Sequence, residues 1–378
     1  MNALAVGWDV HRRFSQVSLQ ELHSDGELRI VERKRLEHND RSAMAAWLGK
    51  LPANTPIAIE GAFGWQWVAD WLSELGLSPH LGHPPAIRVL AKNEAKADRI
   101  DADRLGRFWL RGIFPESYLS TPEVRQLRER LRHRQSLVAL RAQVKNRIQA
   151  LLHRAGVLHD LSDLFGKRGR ELLAELKLPA ASRAVLNDGL SLIDALGDQI
   201  AALETWMLEH LAQDAIVRLL LTIPGIGLVL AHVIRAEIGQ LTERFANAKR
   251  LASYAGLAPL ADDSADRHGR RHIGHACNRT LRWALVEAAG IALRSSDCPP
   301  KLRQLYDRLT RHGHVNKMQG RVAVARELCE LVYVIWKKGE PYRDPTSPAP
   351  TSSRPPRPRG KRSVASRRAE PSRASRPQ

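Results

Sequence analysis

Cysteine is nearly absent: the 378 residues hold only Cys277, Cys298 and Cys329, and no two of them form a C-x-x-C pair. That scarcity argues against a disulfide scaffold and against a cysteine zinc site, and it fits a reducing cytoplasm. Long apolar runs are missing too, and no stretch approaches the roughly 20 apolar residues that a membrane span needs. The first residues, Met1–Asp9, lack a basic segment followed by a long apolar one, which argues against a secretory leader. Acidic charge is the third deficit. Asp and Glu number 40 against 59 Lys and Arg, a formal charge of +19, and such an excess points to a polyanionic partner, nucleic acid by default.

Ten of the basic residues and two of the acids fall in 341–378, a segment rich in Pro, Ser and Arg with almost no large apolar side chain. Such a composition cannot bury enough surface to offset its ordering entropy, so 340–378 reads as a disordered, basic, phosphate-binding tail. The rest keeps a net +11, so the folded part is basic in its own right. Its length suits two or three domains.

Residues 3–32 read as a β-meander, with strands over Leu4–Val10, Phe14–Gln20 and Glu27–Glu32 and turn signals between them. Helical spacing follows at 42–51, a short apolar strand at Pro56–Glu60, a helix at Trp65–Leu75 with Trp67 and Trp71 on its core face, a strand at 79–81, and helices to Ile113. Three antiparallel strands followed by alternating helix and strand is the order of an RNase H-like α/β domain, expected over 1–118. From Thr121 and Pro122, placed as N-cap and first helical residue, a long basic amphipathic helix begins. A second amphipathic region at 181–211 completes a coiled-coil-like hairpin over 119–213. Between Arg125 and Arg154 the only acid is Glu129, so this arm is expected to face nucleic acid. A mainly helical domain is expected over 214–339. It opens on Ile223-Pro224-Gly225-Ile226-Gly227, a helix-hairpin-helix-like turn in which Gly225 and Gly227 let backbone N–H groups approach a phosphate.

Four acids carry the first candidate site. Asp9 lies inside an apolar strand, Glu60 ends another, and Asp98 and Asp101 are three apart on one helix face. An acid in a strand core is costly unless paired or metal-bound. Neighbouring first and fourth strands would bring Asp9 and Glu60 together beneath the helix. Clustered carboxylate oxygens suit Mg²⁺, which activates and stabilises the oxygens of a phosphodiester in displacement. Farther along, Ser264 sits in a polar segment with Asp262, Asp263, Asp266 and Arg267, and a serine there can attack a phosphodiester if its proton is taken and the leaving charge is stabilised. His268, His272, His275 and Cys277 imitate a zinc cluster, but Arg267, Arg270, Arg271, Arg279 and Arg282 would repel a cation and suit phosphate contact instead.

These segments, in this order, resemble the insertion-sequence transposases of the IS one-ten family, to which the pilin-gene invertases also belong. The resemblance rests on Gly7–His11, Ile59-Glu60-Gly61, Lys96–Ala102, Ile223–Gly227, Leu251–Pro259 and Leu281–Ala289, and spans about residues 4–336. It implies a DEDD domain related to Holliday-junction resolvases (RuvC-like), with Asp9, Glu60, Asp98 and Asp101 holding Mg²⁺, and a C-terminal domain whose nucleophile is Ser264. The family usually has glycine after this serine and a lysine farther on, where this chain has Ala265 and His275. The resemblance further implies a covalent serine–DNA intermediate, a structured non-coding guide RNA, a homo-oligomer on donor and target DNA, and a nucleoid-associated place in the cytoplasm. Two other readings of the residues stay open: a junction endonuclease using the carboxylates alone, and a DNA-binding remnant without catalysis.

Overall fold

The computed structural model describes residues 3–92, 98–260, 263–264, 267–268, 272–273, 277–311 and 315–344, with the side chains of 98–99, 259–260, 263–264, 267–268 and 272–273 left aside. The chain begins with β1 (Ala3–Val10), β2 (Phe14–Leu22), β3 (Leu28–Glu37), α1 (Arg41–Leu48), β4 (Pro56–Glu60), α2 (Trp65–Glu74), β5 (Ser78–Gly82), α3 (Pro84–Leu90), α4 (Asp98–Leu110) and β6 (Glu116–Ser117). The six strands form one sheet in the order β3-β2-β1-β4-β5-β6. β1, β2 and β3 run antiparallel, whereas β4 lies parallel to β1 and β5 parallel to β4.

Alternation along β1 and β4 divides the sheet's two faces. Val6, Trp8, Ile57 and Ile59 point to one side and pack with Met44 and Trp47 of α1 and Val68 and Leu72 of α2. Trp65, Trp67 and Trp71 pack against this core, as their spacing predicts. On the other side Ala58 meets Leu105 and Phe108 of α4. There α4 crosses β1 so closely that a Cβ on Gly7 would stand 1.9 Å from the Ala102 carbonyl oxygen, and only glycine permits this approach.

β3 runs to Glu37, five residues past the strand end read from sequence. Its outer half is mostly exposed and charged, and Leu36 alone is buried in the core, too little to show an alternating pattern in the sequence. As the sheet's free edge it carries Arg33, Lys34, Arg35 and Glu37, charges that discourage pairing with another chain.

Two long helices follow, α5 (Pro122–Arg154) and α7 (Ala180–Leu211), with α6 (Lys167–Glu175) between them. They are antiparallel: Arg134 pairs with Glu204 while Gly189 admits Ile148 against the helix backbone. Leu137, Val144, Ile148 and Leu151 form a core with Leu186, Ile193, Leu196 and Ile200. The first turns of α5 belong elsewhere, because Leu127 and Leu131 join the C-terminal core.

That core is built by α8 (Ala215–Leu220), α9 (Leu228–Ile238), α10 (Leu241–Arg244), α11 (Ala248–Tyr254), α12 (Arg279–Arg294), α13 (Pro300–Thr310) and α14 (Lys317–Lys338). Between α11 and α12 lie four two-residue strands, β7 (Pro259–Leu260), β8 (Asp263–Ser264), β9 (Arg267–His268) and β10 (His272–Ile273). β7 pairs with β10, and β8 with β9. No described helix is long and apolar enough to cross a membrane.

Candidate active site and nucleic-acid cleft

Asp9 shares a face with Gly7, and Glu60 with Ala58, so both carboxylates lie on the side that α4 covers. The parallel register Gly7↔Ala58 and Trp8↔Ile59 brings the next residues, Asp9 and Glu60, level at neighbouring strand ends. The direction of α4 follows from its contacts. Arg111, past its C-terminus, donates to the Gly26 carbonyl at the β2–β3 turn, by the start of β1, while Ala102 lies over Gly7. The N-terminal turn with Asp98 and Asp101 therefore lies toward the end of β1 that carries Asp9.

The Asp9 carboxylate, 14% exposed, lies 3.0 Å from His11 Nε2. Asp101 is 23% exposed and accepts from Arg104 Nη1 at 2.6 Å. Asp9, Glu60 and Asp101 thus gather at one end of the sheet. Among the described residues, however, no three His, Cys, Asp or Glu side chains close into a metal-binding cluster; Asp98's side chain is outside that set. The donor chemistry fits a hard divalent cation, because all four expected ligands supply carboxylate oxygens and two of them come from adjacent strand ends. Phe63, three residues after Glu60 and 79% exposed, projects from the same loop, which turns into α2 through Gly64 at φ +80°.

Ser264 lies in β8, and its register partner in β9 is Arg267. The ends of the surrounding segment are tied together by the Asn278 N–H, which donates to the Tyr254 carbonyl at 2.9 Å. Next to this tie opens a cleft of about 850 Å³. Cys277, Asn278, Arg279 and Thr280 line one side, Arg132, Gln135 and Ser136 of α5 the second, and His83 and Pro85 the third. His83 follows Gly82, the register partner of Glu60. The cleft therefore joins the downstream end of the serine segment to the sheet edge beside Glu60.

Glu237 organises the cleft wall. Only 2% exposed, it accepts from Arg132 Nη2 on both carboxylate oxygens at 2.9 Å, from Arg132 Nε at 3.0 Å and from Asn278 Nδ2 at 2.7 Å. Asn278 Nδ2 also donates to the Tyr254 hydroxyl, and its Oδ1 caps α12 by accepting from Leu281 N–H. Arg128 stands 3.8 Å away and donates to the Ala236 carbonyl. Burial pulls the Arg128 guanidinium below its ordinary range, with the Glu237 charge opposing. None of Glu237, Asn278 or Tyr254 stands out from sequence alone. The available signal was an acid near the C-terminus of the apolar helix Leu228–Ile238, where neither burial nor the helix dipole favours it without a partner.

Several basic residues assigned to nucleic acid are engaged within the protein. Arg125 pairs with Asp70, Arg132 with Glu237 and Arg134 with Glu204, so the lack of acids within α5 is made good by acids of other elements. Arg132 nonetheless stays 55% exposed on the cleft. Arg282 donates to the Ala255 carbonyl and lies where Gly256 has no side chain. Gly225, at φ +86°, lies close against α12, where a Cβ would come within 2.3 Å of the Ala288 carbonyl. Gly227 precedes α9 with open space beside it. Arg279 opens α12 and lines the cleft. Arg270, Arg271 and His275 lie outside the described residues, and His268 and His272 are described by backbone alone.

Comparison with known proteins adds a family to this geometry. Residues 6–156 match a model of the DEDD transposase domain of the IS110 type, and 217–307 match that of the transposase IS116/IS110/IS902 family. The chain is 26% identical over 343 residues to the transposase for insertion sequence element IS1328 of Yersinia enterocolitica, covering 89% of this chain and 98% of that protein. It is 36% identical over 126 residues to the pilin gene-inverting protein of Moraxella bovis, covering 33% and 38%. The acids at the strand ends fall within the first match and the serine segment within the second, and the chain belongs to the IS110/IS116/IS902 family of transposases, the group named IS one-ten above.

Proposed function

We propose that this transposase cuts and rejoins DNA at specific sites by combining its two halves on one phosphate: Asp9, Glu60, Asp98 and Asp101 hold Mg²⁺, and Ser264, from its own or a partner subunit, is the nucleophile. The observation that carries this reading is the cleft, which has the tied end of the serine segment on one wall and the residue after Glu60's strand partner on another. Held by the four carboxylates, a divalent cation would supply positive charge to the phosphoryl oxygens. The protein's own groups do the rest. The serine Oγ bonds to phosphorus as the bond to one deoxyribose oxygen breaks, a carboxylate or water takes the serine proton, and the freed hydroxyl is kept for rejoining. Arg132 and Arg279 place cations along the cleft where phosphate charge needs them, and Phe63 offers an exposed ring for stacking on an unpaired base.

The strand order, with three antiparallel strands followed by two parallel ones, supports reading 1–118 as an RNase H-like, RuvC-like domain. The cores support a helical hairpin over 119–213 and a serine domain over 214–339 with a helix-hairpin-helix-like entry; a basic tail over 340–378 rests on composition, and Tyr342 near its start packs against the C-terminal core. A structured guide RNA and a homo-oligomer on donor and target DNA are part of the same proposal, as the resemblance implies, and the exposed Arg147 and Arg154 on the hairpin offer cations to a nucleic-acid backbone. Strand exchange on a substrate carrying the element's ends tests it. Ser264→Ala is expected to abolish recombination while DNA binding persists, and a recombining Ser264→Ala protein would show that the serine is misassigned.

A further inference from the structure

The β1–β2 turn carries a cluster of cations that neither the carboxylates nor the serine segment uses. Arg12 and Arg13 stand exposed on it. Together with His11, Phe14, Arg35 and Glu37 they line a groove of about 530 Å³. The position of Arg35 relative to Asp9 follows from the sheet register, because Asp9 pairs with Gln16 and Gln16 with Arg35. Cross-strand partners share a face and adjacent strands lie about 4.8 Å apart, so Arg35 begins about 10 Å from Asp9 on the same face.

One row back along the strands the corresponding residues are Gly7, Ser18 and Arg33. There α4 covers the sheet, and Arg33 is committed to Asp103 at 2.7 Å. Among the described residues Arg35 has no such tie to α4. Its guanidinium lies 3.5 Å from the centroid of the Phe14 ring, which itself stacks on His11, and its Nε donates to Glu37 at 2.6 Å. The aromatic face fixes the plane of the fork, and an exposed pair with Glu37 is one that a phosphate can displace at little cost. Three guanidinium groups thus face a single carboxylate in a groove that opens beside Asp9.

We propose that Arg12, Arg13 and Arg35 form a clamp for a DNA backbone phosphate flanking the one held at Asp9 and Glu60. This rests on the reading of those carboxylates as the DNA-processing site. In the strand order, the clamp lies on the β2–β3 side of Asp9 and the cleft with Arg132 and Arg279 on the β5 side. A strand crossing the carboxylates is then gripped on both sides of the scissile position, which fixes its direction over the site.

The test is the salt dependence of duplex DNA binding by the full chain. Removing one neutralised phosphate from the complex lowers the slope of log K against log salt by about 0.9. An Arg12→Ala/Arg35→Ala variant is expected to bind with a slope shallower by at least that amount, with its thermal melting unchanged because both residues are exposed, while Arg35→Lys keeps most of the wild-type slope. A neutral methylphosphonate at the flanking position should lower the wild-type slope by a similar amount and leave that of the double variant unchanged. An unaltered slope in the double variant overturns the clamp, and so does a loss seen with RNA but not with DNA. Failure of the carboxylate reading shows separately, as continued strand cleavage by Asp9→Asn, because cleavage and salt slope are read independently.

Discussion

Asp9, Glu60 and Asp101 stand on elements fixed by cores on both faces of a sheet, whereas Ser264 stands on a two-residue strand within a segment whose ends are tied at Tyr254 and Asn278. One half of the site is positioned by regular packing, and the other is held at its ends. On the proposed reading the acids must keep fixed mutual distances to share an ion, and a sheet end provides that. The proposed nucleophile, bonding to DNA and later releasing it, would benefit instead from a segment anchored at its base, and Glu237 holds that base through Asn278.

Breaking the anchor should have the largest effect on stability. Glu237→Ala leaves the buried Arg128 without its countercharge, and loss of one partner from a buried ionic pair costs about 3–5 kcal/mol. Denaturant unfolding should show that loss, while Glu237→Gln, which can still accept from Asn278, should lose less. An unchanged midpoint for Glu237→Ala would mean that the hub does not hold the C-terminal core to α5.

Gly7→Ala strikes the acidic half without touching an acid. Its Cβ would meet the Ala102 carbonyl, so α4 must shift, at about 1–3 kcal/mol for an overpacked contact. Since α4 carries Asp98 and Asp101, the variant should lose metal-dependent cleavage out of proportion to its melting temperature. Cleavage that falls only as far as stability does would separate α4 from the chemistry.

The placement of the acids was legible because it obeys periodicity: an acid inside an apolar strand and two acids three apart on a helix show themselves in the sequence. The expectation for Ser264 rests only on resemblance, since Ser264 follows no periodic pattern. What stayed hidden depended on partners distant in the chain. Arg125, Arg132 and Arg134 look unopposed within α5, but Asp70, Glu237 and Glu204 meet them across the fold. The contact of Gly225 with α12 does not show in the sequence either, because a close approach by a helix and one by a phosphate call for the same residue. The outer half of β3 does not show in the sequence because this edge strand buries only Leu36 there, and one apolar residue makes no alternation.

A smaller effect distinguishes the seam between hairpin and C-terminal core. His232 is buried, with Nδ1 bonded to the Leu228 carbonyl and its ring near His210 and Trp206. Burial lowers its pKa below the ordinary 6.5, and His210 adds to the lowering. A depressed histidine pKa means that the unfolded chain takes up the proton first, so the stability it contributes is complete above about pH 6.5 and is lost as pH falls through the folded value. Melting temperatures measured from pH 7.5 to 5 should therefore fall less steeply in His232→Leu than in the wild type. Parallel curves would remove His232 from the acid response.

Trapping the protein–DNA species on denaturing gels tests most directly whether both halves act on one phosphate. In the presence of Mg²⁺ the wild type should yield a covalent adduct, Ser264→Ala none, and Asp9→Asn less by about a hundredfold to a thousandfold, the range for removing one charge-stabilising group from a transition state. A full yield of adduct from Asp9→Asn, or any from Ser264→Ala, would contradict the account.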